Sequence, residues 1–274
     1  MTIKESFQVA KSPKSIIEDG IATTNDFAAV VDGSTSKGTL SLSGKTSGRI
    51  AMETVCECIH HLVADISAKE AAALLTEHIH RLYVDNNLLD DAVQHAENRF
   101  TCSTVIFSKK RREVWFIGDC QCRFGGKTYT NEKRVDSILA DIRCDAIDYL
   151  LKHGHRAEDL RQKDLGRAFI LGALKDQCHF QNTKDDNPYR YAVIDGFPID
   201  KRLIKVITVP GNVHEIVLAS DGYPVLCDTL EESERELQRL LKNDPLCHRK
   251  NRCTKGLMAN ANSYDDRTFL RIEI

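Results

Sequence analysis

Three aspartates each come directly after a short apolar segment of the kind that forms a buried strand. They are Asp32, Asp119 and Asp221, in the segments AVVDG, FIGD and VLASDG. A carboxylate at a strand end is costly to bury alone, and several at one edge of a sheet repel one another. Divalent cations that prefer oxygen ligands, such as Mg²⁺ or Mn²⁺, remove that repulsion. The pattern therefore predicts a shared metal site, although each aspartate taken alone is also typical of a simple turn.

Two further acidic pairs flank this set near the ends of the chain. Glu18-Asp19 precedes the first of the apolar segments, and Asp265-Asp266 precedes the last one. Adjacent side chains at the start of a strand point to opposite faces, so only one of Asp265 and Asp266 can face a shared site. We therefore expect only one member of the last pair to contact the metals directly.

The elements that must position these acids come in groups rather than in regular alternation. Apolar segments bounded by turn residues predict strands over residues 6–11, 20–32, 103–107, 113–119 with a continuation to 124, 189–195, 203–209, 215–220 and 267–274. Helical spacing and capping patterns predict helices over residues 52–66, 67–82, 135–153, 159–175 and 229–242. Adjacent helices between groups of strands argue against a doubly wound βαβ sheet. They favour antiparallel sheets with pairs of helices packed on their faces.

The 274-residue chain has the composition of an ordinary globular protein, with 42% hydrophobic and 28% charged residues. Its formal net charge of −2 shows no basic excess that would indicate a nucleic-acid or anionic membrane partner. No apolar run approaches the roughly 18 residues of a membrane span, and the first residues have no apolar core like that of a signal peptide. We therefore expect a cytoplasmic protein that binds neither nucleic acid nor membrane.

The ten cysteines do not show the paired spacing of a zinc site. The nearest approach is Cys247-His248 with Cys253, which lacks a second pair downstream. Thiols kept reduced in a cytoplasm are the simpler interpretation.

Taken in order, the acidic segments resemble the motifs of the metal-dependent protein phosphatases, also called the protein phosphatase 2C family. The similar segments run through almost the whole chain and are KSIIED (14–19), VVDG (30–33), STV with IGDC (103–105 and 117–120), LASDG (218–222) and DDRT (265–268). In the family these are the opening Glu-Asp motif, the signature Asp-Gly, a Ser-Thr strand with a Gly-Asp hairpin, a later Asp-Gly and a terminal acidic pair. Residues 121–215 carry no motif of the family, and we expect them to contain its variable flap.

The resemblance implies a fold and a metal centre. The fold is an α+β, four-layer α-β-β-α sandwich of two antiparallel sheets flanked by paired helices, with residues 1–274 forming one catalytic domain. Two Mg²⁺ or Mn²⁺ ions, and a third more loosely bound, are implied for a ligand set of Glu18, Asp32 as the bridging residue, the Gly33 carbonyl, Asp119, Asp221 and Asp265. The residues implied to support these ligands are Asp19, Ser34 and Asp266.

The implied activity is hydrolysis of phosphoserine and phosphothreonine in a phosphorylated protein substrate. Two cations at one carboxylate lower the pKa of a bridging water, so that hydroxide is available to attack phosphorus at neutral pH. Lys14 precedes Glu18 by four residues, and in an extended segment the two side chains would share a face. We therefore expect Lys14 to bind phosphate, with a solvated surface lysine as the alternative.

Two positions depart from the family pattern and leave a second function open. Lys14 stands where the family typically has arginine, and lysine lacks the fork that binds phosphate through two hydrogen bonds. Ser34 stands where many members have a histidine that protonates the leaving group, and serine is a poor general acid. The alternative is a catalytically weak relative whose phosphate-binding surface serves as a binding or regulatory module.

Overall fold

The computed structural model describes residues 1–34, 36, 38 and 40–274, and its strands form two five-stranded sheets. The strands are β1 (Thr2–Val9), β2 (Asp19–Thr23), β3 (Phe27–Ser34), β4 (Thr101–Ser108), β5 (Glu113–Ile117), β6 (Gln121–Phe124), β7 (Lys127–Tyr129), β8 (Lys205–Thr208), β9 (Glu215–Ala219) and β10 (Arg267–Glu273). One sheet has the order β1-β10-β9-β6-β7 and the other the order β2-β3-β4-β5-β8. Every neighbouring pair of strands is antiparallel.

Helices lie outside these sheets and between groups of strands. They are α1 (Ser47–His60), α2 (Ala68–Asp85), α3 (Leu89–Gln94), α4 (Arg134–Lys152), α5 (Ala157–Gln162), α6 (Leu165–Phe169), α7 (Leu171–Asp176) and α8 (Leu230–Asn243). The predicted capping box begins α2, where Ser67 and Glu70 each accept a backbone hydrogen bond from the other. No helix in the described part of the chain is long and apolar enough to cross a membrane.

The two sheets pack face to face around an apolar core. Val30 and Val105 of one sheet meet Leu218 and Leu270 of the other. The opposite face of the β3 strand, which includes Val31, is covered by α1 and α2. Because both faces of β3 are buried, its apolar residues run consecutively instead of alternating with polar ones. The predicted α+β sandwich of two antiparallel sheets is confirmed.

The predicted strand over residues 20–32 is wrong in one respect, because it is a hairpin of β2 and β3. The hydroxyl of Thr24 accepts hydrogen bonds from the backbone N–H groups of Asp26, at 3.1 Å, and Phe27, at 2.9 Å. These two bonds reverse the chain within a segment that reads as continuous in the sequence. A side-chain oxygen that binds the backbone two or three residues on is a common way to make such a turn.

Residues 159–175 and 189–195 also differ from their predicted elements. Asp164 accepts a hydrogen bond from the backbone N–H of Arg167 and begins a new short helix, so the predicted helix is divided into α5, α6 and α7. The predicted strand at 189–195 is irregular and forms only isolated bridges, one of them between Ile194 and Cys102. Both differences lie in the segment in which the variable flap is expected.

The antiparallel topology brings four strand ends to one end of the sandwich. β3 and β5 both run antiparallel to β4, which lies between them, so both end on the same side. β9 and β10 are antiparallel neighbours, so the end of β9 lies beside the start of β10. Asp32, Asp119 and Asp221 come at the ends of β3, β5 and β9, and Asp265 comes before β10. Asp19 lies opposite Asp32 in the β2–β3 register.

Candidate active site

A cleft of about 890 Å³ opens where these strand ends meet. The residues predicted from the sequence that line it are Glu18, Asp32, Gly33, Ser34, Asp119, Asp221 and Asp265. The same cleft is lined by the cationic side chains of Lys11, Arg123, Lys133, Arg167, Arg252 and Lys255. The cleft therefore combines a group of carboxylates with lysines and arginines that can attract an anion.

Asp32 is half-buried near the end of β3, and Val30 two residues earlier faces the core between the sheets. Side chains two apart on a strand share a face, so Asp32 also points between the sheets and into the cleft. Gly33 allows β3 to approach α1, since a Cβ at this position would lie 2.2 Å from the carbonyl oxygen of Gly48. Burial, and next the charge of Asp19, raise the pKa of Asp32 well above its ordinary value.

A tight turn at Gly118, whose φ is 97°, presents Asp119 to the cleft. Ser103 Oγ donates a hydrogen bond of 2.6 Å to Asp119 Oδ1, and Lys133 Nζ lies 2.8 Å from Asp119 Oδ2. Burial opposes the charged form of Asp119, but Lys133 and Ser103 hold its pKa below the ordinary value. The charge of this carboxylate is therefore already balanced by a lysine.

Asp221 and Asp265 lie beside each other but have different partners. Asp265 Oδ2 forms an ion pair with Lys255 Nζ. Burial and the charge of Asp265 raise the pKa of Asp221 to about 7, against the opposing effect of Lys255. Within the described part of the chain, the carboxylates of Asp221 and Asp32 have no hydrogen bond or ion pair. Of the four aspartates at the strand ends, Asp32 and Asp221 are thus the two that do not form an ion pair with a described lysine or arginine.

Asp266 binds the backbone of the segment that carries Glu18. Its two carboxylate oxygens accept hydrogen bonds from the backbone N–H of Lys11, at 2.9 Å, and of Glu18, at 3.0 Å. The carbonyl of Glu18 in turn accepts a hydrogen bond of 3.1 Å from the N–H of Gly33. Asp265 lines the cleft and Asp266 faces this segment, so the two adjacent acids have different surroundings.

We expect Asp266→Ala to destabilise the fold far more than Asp265→Ala. The first change leaves the backbone N–H of Glu18, which is buried, and that of Lys11, which is partly buried, without their charged acceptor. It should cost about 3 kcal/mol of unfolding free energy. The second leaves the Lys255 ammonium beside Asp221, which can take over as its partner, so the loss of unfolding free energy should be smaller. Because Lys255 would then compete with the cation for Asp221, this change should act on turnover and cation binding instead. Urea unfolding of both variants, with kcat/KM measured in parallel, tests this division. Equal losses of unfolding free energy would contradict it.

The predicted extended segment through Lys14 is wrong. The backbone turns at residues 12–15, where the N–H of Ser15 donates to the carbonyl of Ser12 at 3.1 Å and Ser15 Oγ accepts from the N–H of Ser12 at 3.0 Å. Lys14 is exposed and does not line the cleft, so this position does not favour its predicted contact with phosphate. Lys11 is the lysine of this segment that lines the cleft.

Sequence patterns do not point to Lys133 or Lys255. Lys133 is the N-cap residue of α4, and Lys255 lies in the irregular segment between α8 and β10. Neither has a motif spacing or a periodicity that relates it to the acid it contacts. The glycine that follows Lys255 is a local loop signal, but the same signal occurs in many loops that have no role in a site.

The predicted donor set fits a divalent cation in its chemistry and only in part in its geometry. Carboxylate oxygens are the ligands that Mg²⁺ and Mn²⁺ prefer. Within the residues that the structure describes, Asp19 Oδ2 is buried without a hydrogen-bond partner. Among the described residues, however, no three His, Cys, Asp or Glu side chains are gathered closely enough to hold an ion. Asp119 and Asp265 are paired with lysines, so Asp32 and Asp221 are the predicted aspartate ligands that remain available.

The metal-free protein should lose stability as the pH rises from about 4 to about 8. Burial raises the pKa of Asp19 to about 8 and that of Asp221 to about 7, whereas both titrate near 4 in the unfolded chain. Between these values the folded chain binds more protons than the unfolded chain, so the unfolding free energy falls with rising pH. The urea midpoint of the metal-free protein should therefore be lower at pH 8 than at pH 5.5, and Mn²⁺ should reduce the difference. A midpoint that rises over this interval would contradict the expectation.

No family model and no curated protein matches the chain. Among solved structures, it is similar to the Mycobacterium tuberculosis serine/threonine phosphatase PstP/Ppp, with 12% identity, a TM-score of 0.48, and coverage of 100% of this chain and 99% of that one. It is also similar to the serine/threonine phosphatase Stp1 from Staphylococcus aureus, with 15% identity, a TM-score of 0.45, and coverage of 100% and 96%. A structure of RsbX with magnesium has 12% identity, a TM-score of 0.44, and coverage of 97% and 92%.

Proposed function

We propose that the chain is a metal-dependent phosphatase that acts on phosphoserine and phosphothreonine in proteins. The observation that supports this most directly is the meeting of acids from four strand ends in one cleft that also carries lysines and arginines. The acids suit a divalent cation, and the basic side chains suit the phosphate dianion of the substrate. Carboxylates alone would not attract the phosphate dianion, and basic side chains alone would not hold the cation.

Asp32 and Asp221 would hold a Mg²⁺ or Mn²⁺ ion, and Asp19, opposite Asp32 on β2, would add negative charge. Such an ion lowers the pKa of bound water and so supplies hydroxide near neutral pH. Lys11 and Arg167 line the same cleft and would attract and orient the phosphate group before hydrolysis. Ser34 is exposed at the cleft and cannot act as a strong general acid, so we expect the leaving group to receive its proton from solvent.

A second candidate is a phosphate-binding module with little or no turnover. The specific observation in its favour is that Asp119 and Asp265, both predicted metal ligands, are neutralised by Lys133 and Lys255. A cleft whose acids are balanced by lysines can attract a phosphate without assembling a metal centre. Binding would then be retained in the presence of a chelator.

Assays of the purified chain with a phosphopeptide and with p-nitrophenyl phosphate separate the two candidates. The phosphatase should turn over both substrates with Mn²⁺ and neither of them with EDTA. Binding of the phosphopeptide without turnover at any Mn²⁺ concentration would favour the binding module. Turnover that is the same with and without EDTA would contradict metal dependence.

The proposed location is the cytoplasm, and the proposed partner is a phosphorylated protein. All ten cysteines lie in the described part of the chain and are free thiols, which suits a reducing compartment. The net charge of −2 favours neither nucleic acid nor an anionic membrane as a partner.

A further inference from the structure

Two acids of the cleft each have the ammonium group of a lysine beside them, at a position where a metal ion bound to that acid would lie. Lys133 Nζ lies 2.8 Å from Asp119 Oδ2, and both side chains are only 15% exposed. Lys255 Nζ contacts Asp265 Oδ2, whose side chain is nearly buried. Ion pairs with so little exposure are costly to break, because each partner would be left as an uncompensated charge.

Lys133 is held in place by its surroundings as well as by Asp119. Its ammonium group lies 5.2 Å from the centre of the Tyr191 ring, and Asp136 adds a second negative charge nearby. Its backbone forms the N-cap of α4, which fixes where the side chain starts. Lys133 is therefore not a mobile surface lysine that meets Asp119 by chance.

Lys255 is held on both sides by the contacts of one buried arginine. Arg143 Nη1 donates a hydrogen bond of 2.9 Å to the carbonyl of Cys253, and Arg143 Nη2 lies 2.7 Å from Asp164 Oδ2. Asp164 also accepts a hydrogen bond of 3.3 Å from the N–H of Gly256. Cys253, two residues before Lys255, and Gly256, the residue after it, are thus tied to the same Arg143–Asp164 pair.

We propose that Lys133 and Lys255 are built-in counter-ions that keep Asp119 and Asp265 away from metal coordination, so that the cleft takes one divalent cation, at Asp32 and Asp221, instead of two or three. The proposal rests on the metal dependence in the proposed function but not on catalysis. A carboxylate paired with a fixed ammonium has to lose that partner before it can bind a metal. A divalent ion near either ammonium group is also repelled by it.

Calorimetric titration of the full chain with Mn²⁺ tests the proposal without measuring turnover. We expect the wild type to bind one ion. Lys255→Met and Lys133→Met should each release an acid, so that a second ion binds or the first binds about tenfold more tightly as the repulsion is removed. Lys255→Arg, which keeps the positive charge, should still bind one ion. Lys250→Met, an exposed lysine of the same segment, is the matched control and should behave like the wild type.

Urea unfolding of each variant shows whether it is folded before the titration is interpreted. Should a methionine variant fail to fold, Lys133→Gln and Lys255→Gln remove the charge while keeping a polar side chain, and the same gain in binding is expected. Two or more ions bound to the wild type would overturn the proposal. The same stoichiometry and affinity in the wild type and in every charge-removing variant would also overturn it. A lack of phosphatase activity would count only against the proposed function, because the calorimetric titration measures Mn²⁺ binding and not turnover.

Discussion

Asp32→Asn should abolish turnover and weaken Mn²⁺ binding while leaving the chain folded. The side chain lies at the meeting point of the strand ends, and within the described residues it has no hydrogen bond whose loss would damage the fold. Burial and neighbouring acids raise its pKa well above the ordinary value, so its charge is costly unless a cation balances it. Loss of one such electrostatic contact to the reacting centre typically costs about 10²- to 10³-fold in rate, and we expect a loss of at least about 10³-fold in kcat/KM.

The same change should stabilise the metal-free protein, most clearly above neutral pH. Removing one charge from a group of acids that repel one another favours the folded state where those acids are ionised. Urea unfolding at pH 8 without metal, together with calorimetric titration with Mn²⁺, measures both effects. Asp26→Asn is a matched control, because Asp26 lies at the turn of the same hairpin, away from the cleft. Unchanged Mn²⁺ affinity in Asp32→Asn would rule out its role as a ligand.

Arg143→Met should lower the free energy of unfolding by about 3–5 kcal/mol, a large part of the 5–15 kcal/mol that a typical protein has. The side chain of Arg143 is fully buried. It pairs with Asp164 and donates to the carbonyls of Leu246, Cys247 and Cys253. Its loss would leave a carboxylate without its buried partner and three carbonyls without a donor.

Because these carbonyls belong to the segment that carries Lys255, the effect should also be local. Amide hydrogen exchange over residues 245–257 should be faster in Arg143→Met than in the wild type, even under conditions in which both are folded. Arg143→Lys keeps a charge but lacks the fork, so its loss of stability should be intermediate. Arg235→Met, at an exposed position of α8, should change the free energy of unfolding by less than about 0.5 kcal/mol. A loss below about 1 kcal/mol in Arg143→Met would show that Arg143 does not hold this segment.

The acids of the cleft could be predicted from the sequence because their positions follow local rules. An apolar segment followed by aspartate marks the end of a buried strand, and this pattern occurs at Asp32, Asp119 and Asp221. The grouping of helices between strands then predicts antiparallel sheets, in which strand ends meet at common edges. Both steps use only residues that are neighbours in the chain, so they do not require knowledge of long-range contacts.

The same local rules do not predict the hairpin turn at Thr24 or the turn at residues 12–15. Each depends on one side-chain oxygen that binds a backbone N–H two or three residues away, and the same residue types also occur within extended segments. The second turn is the reason that Lys14 is exposed and Lys11 lines the cleft. A predicted extended segment that contains such a turn therefore misplaces side chains at the turn, as it does Lys14.

The sequence by itself determined the sandwich and the set of acids, whereas only the tertiary structure decided how the charges of those acids are balanced. Lys133 and Lys255 reach Asp119 and Asp265 from irregular segments outside the sheets. Strands and helices repeat a local geometry that leaves a period in the sequence, but an irregular segment has no period. Its position is set by distant contacts, such as the hydrogen bonds from Arg143 to loop carbonyls. An ion pair between two such segments becomes visible only when those contacts are known in space.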